Sequence, residues 1–332
     1  MPLPTNISRL ISTRKLYRHH HFNFLSFTTT NTDLEKPSPP PIQVQLTESS
    51  GRGVFATRTI KPGELIHTAK PLLTHPSPSP SPSLTHQNHN KICYFCLRKL
   101  KLGQKLAISH SPTVSFCSDE CANRSKGFYE VEKRVDWSEY NDYCRQRGFK
   151  YPLLVKRMAC MVISEETSSD SLDILQPASL LPEMISEMEE EFGLLKSTLR
   201  GAIKDEQMTF LTKDWYAGIL ARIRINAFRV EVVGGSYEDL LLSAAASVEA
   251  EAAVGNAVYM LPSFYNHDCD PNVHILWIEN ADARLVAIHE IEAGEELRIC
   301  YIDTSIAHGT RQQLLLQGFG FKCNCARCIS GD

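Results

Sequence analysis

The chain has 332 residues, of which 42% are hydrophobic and 22% are charged, and its formal net charge is -3. This composition is typical of a soluble globular protein with one large or two modest cores. No run of about 18 apolar residues is present, so the sequence predicts no membrane span.

The first 32 residues are basic and rich in hydroxyl groups. They contain four Lys and Arg, nine Ser and Thr, and no Asp or Glu. This pattern is typical of an organellar transit peptide and predicts a mitochondrial or plastid location, with a disordered extension as the alternative. Without these residues the chain has 31 Lys and Arg and 38 Asp and Glu, which gives a formal net charge of -7. An acidic body suits a basic peptide better than a nucleic acid, and no direct nucleic-acid site is evident.

A proline-rich linker over residues 36–41 ends the leader, which we assign to residues 1–41. Beyond it, apolar alternation over residues 42–46 predicts a first strand, and Gly51-Arg52-Gly53 predicts a turn. Further strands are predicted over residues 273–278, 284–288 and 297–302.

The segment from about 125 to 230 has mainly helical periodicity. Apolar side chains recur every three or four residues from Ile185 to Leu199, which predicts an amphipathic helix that stops near Gly201. A second helix is predicted through residues 215–223. Helices grouped between two blocks of short strands indicate an α+β fold.

Eleven cysteines without a secretory signal indicate metal binding rather than a disulfide framework. Eight have the spacing of zinc ligands in two groups of four, although the first group could also be unrelated reduced thiols. Four thiolates fill the tetrahedral coordination of zinc, so both metals are expected to be structural. The predicted ligands are Cys93, Cys96, Cys117 and Cys121 for the first zinc, and Cys269, Cys323, Cys325 and Cys328 for the second. The remaining Cys144, Cys160 and Cys300 are expected to be small buried hydrophobic residues.

Three motifs follow one another near the end of the chain. They are Asn266-His267-Asp268-Cys269-Asp270-Pro271-Asn272, then Glu295-Glu296-Leu297-Arg298-Ile299-Cys300-Tyr301, then the cysteines of Cys323–Cys328. Together they resemble the SET domain, the lysine methyltransferase fold, with its post-SET zinc segment. The earlier cysteine group makes the chain similar to the SET-and-MYND subclass and to plant trithorax-related SET proteins.

The resemblance covers residues 42–72, 91–125 and about 215–332. It implies an α+β SET fold of small β-sheets over residues 42–305, followed by a post-SET zinc segment at 306–332. A partial MYND-like zinc finger at 91–125 and a helical insert at 126–214 interrupt the domain. A full MYND finger holds two zincs, but only its first set of ligands is matched. The helical-repeat domain typical of the subclass is not matched, so partner contacts made by that domain cannot be transferred.

The activity implied by the resemblance is S-adenosylmethionine-dependent methylation of a protein lysine, with Tyr301 as the catalytic tyrosine. Tyr259 and Phe319 are assigned to the substrate channel. Relatives often have a tyrosine where Phe319 stands, and this exchange implies di- or trimethylation. The cofactor-binding residues carried over are Gly51, Arg52, Gly53, Asn226, Ser263, Asn266, His267 and Phe321.

The expected partner is a lysine-containing protein or peptide, either a histone tail or an organellar protein, and the chain is expected to be a monomer. The family's usual location is the nucleus, which conflicts with the leader. The alternative function is a non-catalytic SET/zinc adaptor that binds peptides or chromatin proteins. The joint presence of Tyr301, Asn266, His267 and the G-x-G element favours the enzyme. A zinc hydrolase is disfavoured because the predicted metal sites are closed.

Overall fold

The computed structural model describes residues 39–48, 50–77, 92–100, 114–232 and 253–332. The predicted leader lies outside the described residues up to position 38. Contacts divide the chain into residues 1–39 and 40–332. All elements named below belong to the second unit.

Ten short strands in the described part form three small sheets, with strand orders β1-β2-β10-β7, β3-β9-β8 and β4-β6-β5. The strands are β1 Ile42–Thr47, β2 Gly51–Ala56, β3 Leu65–Ala69, β4 Leu73–Pro76, β5 Ala227–Glu231, β6 Ala253–Val258, β7 Asn266–His267, β8 Val273–Leu276, β9 Ala283–Ala287 and β10 Glu296–Ile299.

The first sheet brings distant motifs together. Strand β2 pairs antiparallel with β10, whose other edge pairs parallel with the two-residue strand β7. In that register Arg298 lies opposite Asn266 and Ile299 opposite His267. The G-x-G element, the Asn-His pair and the Glu-Glu motif are therefore neighbours in one sheet.

The strand limits differ from the predictions at two places that matter for the site. Gly51-Arg52-Gly53 begins β2 instead of forming a separate turn, because Gly51 pairs with Thr47 across the hairpin. The last strand ends at Ile299. Beyond it, the Tyr301 N–H bonds to a side chain rather than to a neighbouring strand.

Eight α-helices are described, and six of them lie between the two strand blocks, as the periodicity predicted. They are α1 Asp119–Arg124, α2 Lys126–Arg134, α3 Ser138–Gln146, α4 Tyr151–Ile163, α5 Pro182–Arg200, α6 Lys213–Asn226, α7 His308–Phe319 and α8 Ala326–Ile329. None of the helices among the described residues has the length and apolar character needed to cross a membrane.

Local sequence explains several helix ends. The Ser118 side chain accepts from the N–H of Cys121 at the start of α1, and Thr212 accepts from Trp215 at the start of α6. Hydroxyl caps of this kind satisfy N–H groups that have no partner within the helix. Helix α7 ends at Gly320, whose φ of 81° is a left-handed conformation that glycine adopts readily.

The insert and the sheets have separate apolar clusters. One centres on α2, α4, α5 and α6, and the other on the inner faces of the sheets. As predicted, Cys144 and Cys160 are buried in the helical cluster. Cys300 is only half-buried.

A buried ionic network joins the first cysteine segment to the helices. The Arg157 guanidinium bonds to Glu132 at 2.8 Å and lies between the rings of Tyr94 and Phe128. The Tyr94 hydroxyl donates to the same Glu132 carboxylate at 2.8 Å. A second Arg157 nitrogen donates to the Thr74 carbonyl of β4. One guanidinium therefore ties α4, α2, the cysteine segment and a sheet together.

Replacing Glu132 with glutamine should destabilise the fold strongly, because Arg157 would keep a buried charge without its counter-ion. Breaking a buried pair in this way costs about 3–5 kcal/mol. Urea unfolding measures the loss. The matched control is Glu189→Gln, since Glu189 pairs with Lys213 at 3.1 Å on the surface, where such pairs contribute about 0–1 kcal/mol. Equal losses in the two variants would contradict a structural role for the network.

Candidate active site

The Asn266 side chain holds the first sheet together at the site. Its amide nitrogen donates to the Arg52 carbonyl at 3.2 Å and to Glu296 Oε1 at 2.7 Å. A Cβ at position 53 would lie 2.6 Å from the same Glu296 oxygen. A side chain at position 53 would therefore displace this carboxylate from its present position.

Tyr301 is fixed at both its backbone and its hydroxyl. Its N–H donates to His267 Nδ1 at 3.1 Å, and its hydroxyl donates to the Tyr265 carbonyl at 2.6 Å. Burial raises the pKa of Tyr301, so the phenol stays neutral at pH 7. A neutral, oriented hydroxyl can position a reacting group but does not supply a phenolate base.

The His267 ring connects Tyr301 to the second cysteine cluster. Because Nδ1 accepts the Tyr301 N–H, a neutral ring carries its proton on Nε2. That nitrogen lies 3.3 Å from Cys269 Sγ and donates to it. Burial lowers the pKa of His267 to about 4, so the ring is neutral at physiological pH.

Aromatic rings from the C-terminal segment form a wall against Tyr301. Phe319, the last residue of α7, has its ring centroid 4.9 Å from that of Tyr301. The Phe321 centroid lies 6.4 Å from Tyr301 with nearly perpendicular planes, and 6.0 Å from His267. The wall thus depends on where residues 319–321 are held.

The second cysteine cluster holds that segment. The Sγ atoms of Cys269, Cys323, Cys325 and Cys328 all lie within 4.8 Å of one another. The Gln312 side chain of α7 donates to the Cys323 carbonyl at 2.7 Å and accepts its N–H at 3.0 Å. The cluster therefore joins the Asn-His loop, α7 and the C-terminal segment.

The first cysteine cluster is built from one C-x2-C knuckle and a C-x3-C pair at the start of α1. The Sγ atoms of Cys93, Cys96, Cys117 and Cys121 also lie within 4.8 Å of one another. The Cys117 N–H points at Cys93 Sγ at 3.3 Å, as backbone amides commonly do toward metal-bound sulfur.

Both clusters have the donor set of a closed metal site. Four thiols with no carboxylate among them suit zinc and leave no coordination position for water. The second cluster also has a cation beside it, because the buried Arg311 guanidinium lies against the thiols of Cys269 and Cys328. A positive group there fits the negative charge of a metal with four thiolates.

The remaining predicted residues use their side chains within the protein. The Asn226 amide donates to the carbonyls of Gln176 and Arg222, and the Ser263 hydroxyl donates to the Tyr259 carbonyl. Arg52 donates to the Ile174 carbonyl and stacks on Phe264, with 4.3 Å from its Cζ to the ring centroid. The side chains of Arg52 and Asn226 therefore both donate to carbonyls of one short segment, residues 174–176.

Tyr259 lies in the core rather than at an open surface. It is fully buried, its hydroxyl donates to the Ala281 carbonyl at 2.5 Å, and it accepts from Trp277 Nε1 at 2.8 Å. Its assignment to the substrate channel stays a prediction.

Four residues of the site were not predicted from the sequence. Glu296 lies within the Glu-Glu motif and Tyr265 directly precedes the Asn-His pair, so the motifs themselves pointed to both residues. His67, whose Nε2 lies 3.0 Å from the Tyr265 hydroxyl, and Arg311 carry no motif. They reach the site only through the fold.

This arrangement defines a SET domain, and the chain belongs to the SET-domain family, whose model matches residues 51–302. The predicted family, fold class and enzyme class, a lysine methyltransferase, are confirmed.

Particular relatives agree with this assignment. The chain is 59% identical over 291 residues to "Histone-lysine N-methyltransferase ATXR4" of Arabidopsis thaliana, covering 87% of this chain and 86% of that protein. It is 24% identical to "SET and MYND domain-containing protein DDB_G0292454" of Dictyostelium discoideum, covering 83% and 80%. It is 25% identical to "Histone-lysine N-methyltransferase SMYD3" of Mus musculus, covering 86% and 61%.

The His67–Tyr265 contact predicts a pH-dependent stability. Burial lowers the pKa of His67 to about 4 from its ordinary 6.5. Between these values the unfolded chain binds a proton that the folded protein does not, so stability is full above pH 6.5 and falls as the pH falls toward 4. At pH 5 this loss is about 2 kcal/mol.

His67→Gln should therefore lose less stability between pH 7 and pH 5 than the wild type, as measured by urea unfolding at both pH values. The exposed His289 is the control site, and His289→Gln should keep the wild-type difference. If His67→Gln loses as much stability between pH 7 and pH 5 as the wild type does, the lowered pKa of His67 is not the cause of the loss.

Proposed function

We propose that the protein transfers a methyl group from S-adenosylmethionine to the side-chain amine of a lysine in a protein substrate. The observation that carries this proposal is the fixed Tyr301 hydroxyl, held in the same sheet as the Asn266-His267 pair and faced by an aromatic wall. S-Adenosylmethionine, when bound, supplies a methyl carbon activated by its sulfonium.

The residues at the site fit this cofactor. The space beside Gly51 is open: apart from its two chain neighbours, none of the described residues has an atom within 4 Å of where a Cβ would be. Asn266 and His267 present a backbone edge from β7, and Phe321 presents a half-buried ring beside His267. These groups would hold the methionine part, the nucleoside and the adenine ring respectively.

The chain's own residues must favour the neutral lysine amine. Free lysine has a pKa near 10.4, so at pH 7.5 about one molecule in a thousand is neutral, a cost of roughly 4 kcal/mol. The apolar wall of Phe319 and Phe321 disfavours the ammonium form by desolvation. The Tyr301 hydroxyl orients the amine. Because the phenol stays neutral, the proton that the ammonium loses goes to solvent.

In the transfer, the amine lone pair forms the new C–N bond while the C–S bond breaks and its electron pair stays on sulfur. The products are a methylated ammonium and a thioether. We further propose that both cysteine clusters bind zinc and that the two metals are structural, because four thiolates close each site.

Tyr301→Phe should lose about 100-fold or more in kcat, since it removes an oriented group at the reacting centre. Calorimetry should show S-adenosylmethionine binding within about threefold of the wild type. The control is Tyr143→Phe, which removes a hydroxyl that bonds only to the exposed Glu190. Turnover by Tyr301→Phe close to the wild-type rate contradicts the mechanism, and failure of the wild type to bind the cofactor favours the adaptor.

Phe319 should set the number of methyl groups added. Its ring packs on Tyr301 without a hydroxyl near the amine, and we propose that the space left by that hydroxyl allows di- or trimethylation. Phe319→Tyr should shift the products toward monomethyl lysine, as measured by mass spectrometry of a methylated peptide. A wild type that forms only monomethyl lysine would reject this assignment.

The location decides which substrates are available. The leader composition favours a mitochondrion or plastid, whereas the name of the Arabidopsis relative favours a histone substrate and the nucleus. We propose that the leader, rather than the usual location of the family, determines where the protein is found. A fusion of residues 1–40 to a fluorescent protein should enter one of these organelles, and diffuse or nuclear fluorescence would leave the histone as the favoured substrate.

A further inference from the structure

Arg311 is a buried cation in the second turn of α7. Only 1% of its surface is exposed. Its Nη1 donates to the Ile306 carbonyl at 2.8 Å, and Nη2 donates to the Asp332 carbonyl. Its Nε has no hydrogen-bond partner among the residues that the structure describes.

The same guanidinium faces the second cysteine cluster. It contacts the thiols of Cys269 and Cys328, one from the Asn-His loop and one from the C-terminal segment. Arg311 thus lies where the two chain segments meet.

A cation at this position is electrostatically favourable. Zinc with four thiolates carries a net charge of -2, and burying an uncompensated charge is costly. The His267 Nε2–H provides one hydrogen bond to Cys269, but a neutral imidazole supplies no charge. Arg311, on α7, supplies a full positive charge.

Helix α7 extends this effect to the active site. Arg311 lies near its start and Phe319 at its end, so a guanidinium fixed on the cluster also fixes the ring that packs on Tyr301. Gln312, the next residue, clamps the backbone of Cys323.

We propose that Arg311 is a positioning residue that compensates the charge of the second zinc cluster, slows release of that zinc, and thereby holds α7 and the aromatic wall in place. This inference rests on the proposed zinc binding but not on methyl transfer.

The test measures zinc release from the purified full chain into excess chelator with a metallochromic dye, without cofactor or substrate. Arg311→Met should release one of the two zincs about 10- to 100-fold faster, the usual effect of removing an outer-shell partner. That faster release should come from the second cluster, and the zinc of the first cluster should keep its wild-type rate. General loss of stability would instead accelerate both releases and would overturn the proposal, as would two unchanged rates.

Arg327→Met is the matched control. Arg327 adjoins Cys328 in sequence but pairs with the exposed Asp332 carboxylate at 3.2 Å, so both rates should stay within about threefold of the wild type. Arg311→Lys guards against a misfolded Met variant. It keeps the positive charge but not the planar set of guanidinium contacts, so it should release the same zinc more slowly than Arg311→Met does. A Lys variant that releases this zinc as fast as the Met variant would also overturn the proposal.

Because no step involves turnover, the two proposals fail separately. Zinc release that responds to Arg311 in an inactive protein would refute only the methyl transfer.

Discussion

The structure depends on the meeting of Cys269 with the three cysteines of the C-terminal segment. That segment has little apolar surface to bury, and its local cluster consists of the cysteines themselves. A typical domain has a stability of about 5–15 kcal/mol, whereas structural zinc in small fingers contributes about 10–16 kcal/mol. The free energy of metal binding at these thiols is therefore large enough to decide whether residues 319–328 pack on the sheet at all.

The cluster also reaches Tyr301, the proposed catalytic residue, through hydrogen bonds. Cys269 Sγ accepts from His267, His267 accepts from the Tyr301 N–H, and the Tyr301 hydroxyl donates to the Tyr265 carbonyl. The sulfur thereby fixes the tautomer of His267, which in turn fixes the backbone of Tyr301. Each link is short and directional, so a structural metal can influence catalysis without contacting a substrate.

The parts of the site that the sequence predicted are those whose chemistry requires a fixed local spacing. The spacing of the cysteines and the Asn-His-x-Cys loop predicted which thiols cluster, and the 3–4 periodicity predicted α5 in the same way. The end of β10 was less predictable. The N–H of Tyr301 donates to the imidazole of His267 instead of to a neighbouring strand, and the alternation of apolar residues does not show where a side chain replaces a strand as the acceptor.

Pairs distant in sequence were not predictable from one chain. His67 and Tyr265 are 198 residues apart, and Arg157 and Thr74 are 83 apart. No spacing rule links such residues, since the fold alone determines their contact.

The most direct test of the account is to remove one ligand of the second cluster and measure zinc content and cofactor binding on the same sample. Cys328→Ser should hold one zinc per chain instead of two and show no binding of S-adenosylmethionine by calorimetry. Cys144→Ala, which removes a buried thiol of the helical core, should keep two zincs and wild-type affinity. If Cys328→Ser binds the cofactor as the wild type does, the C-terminal clamp does not organise the site.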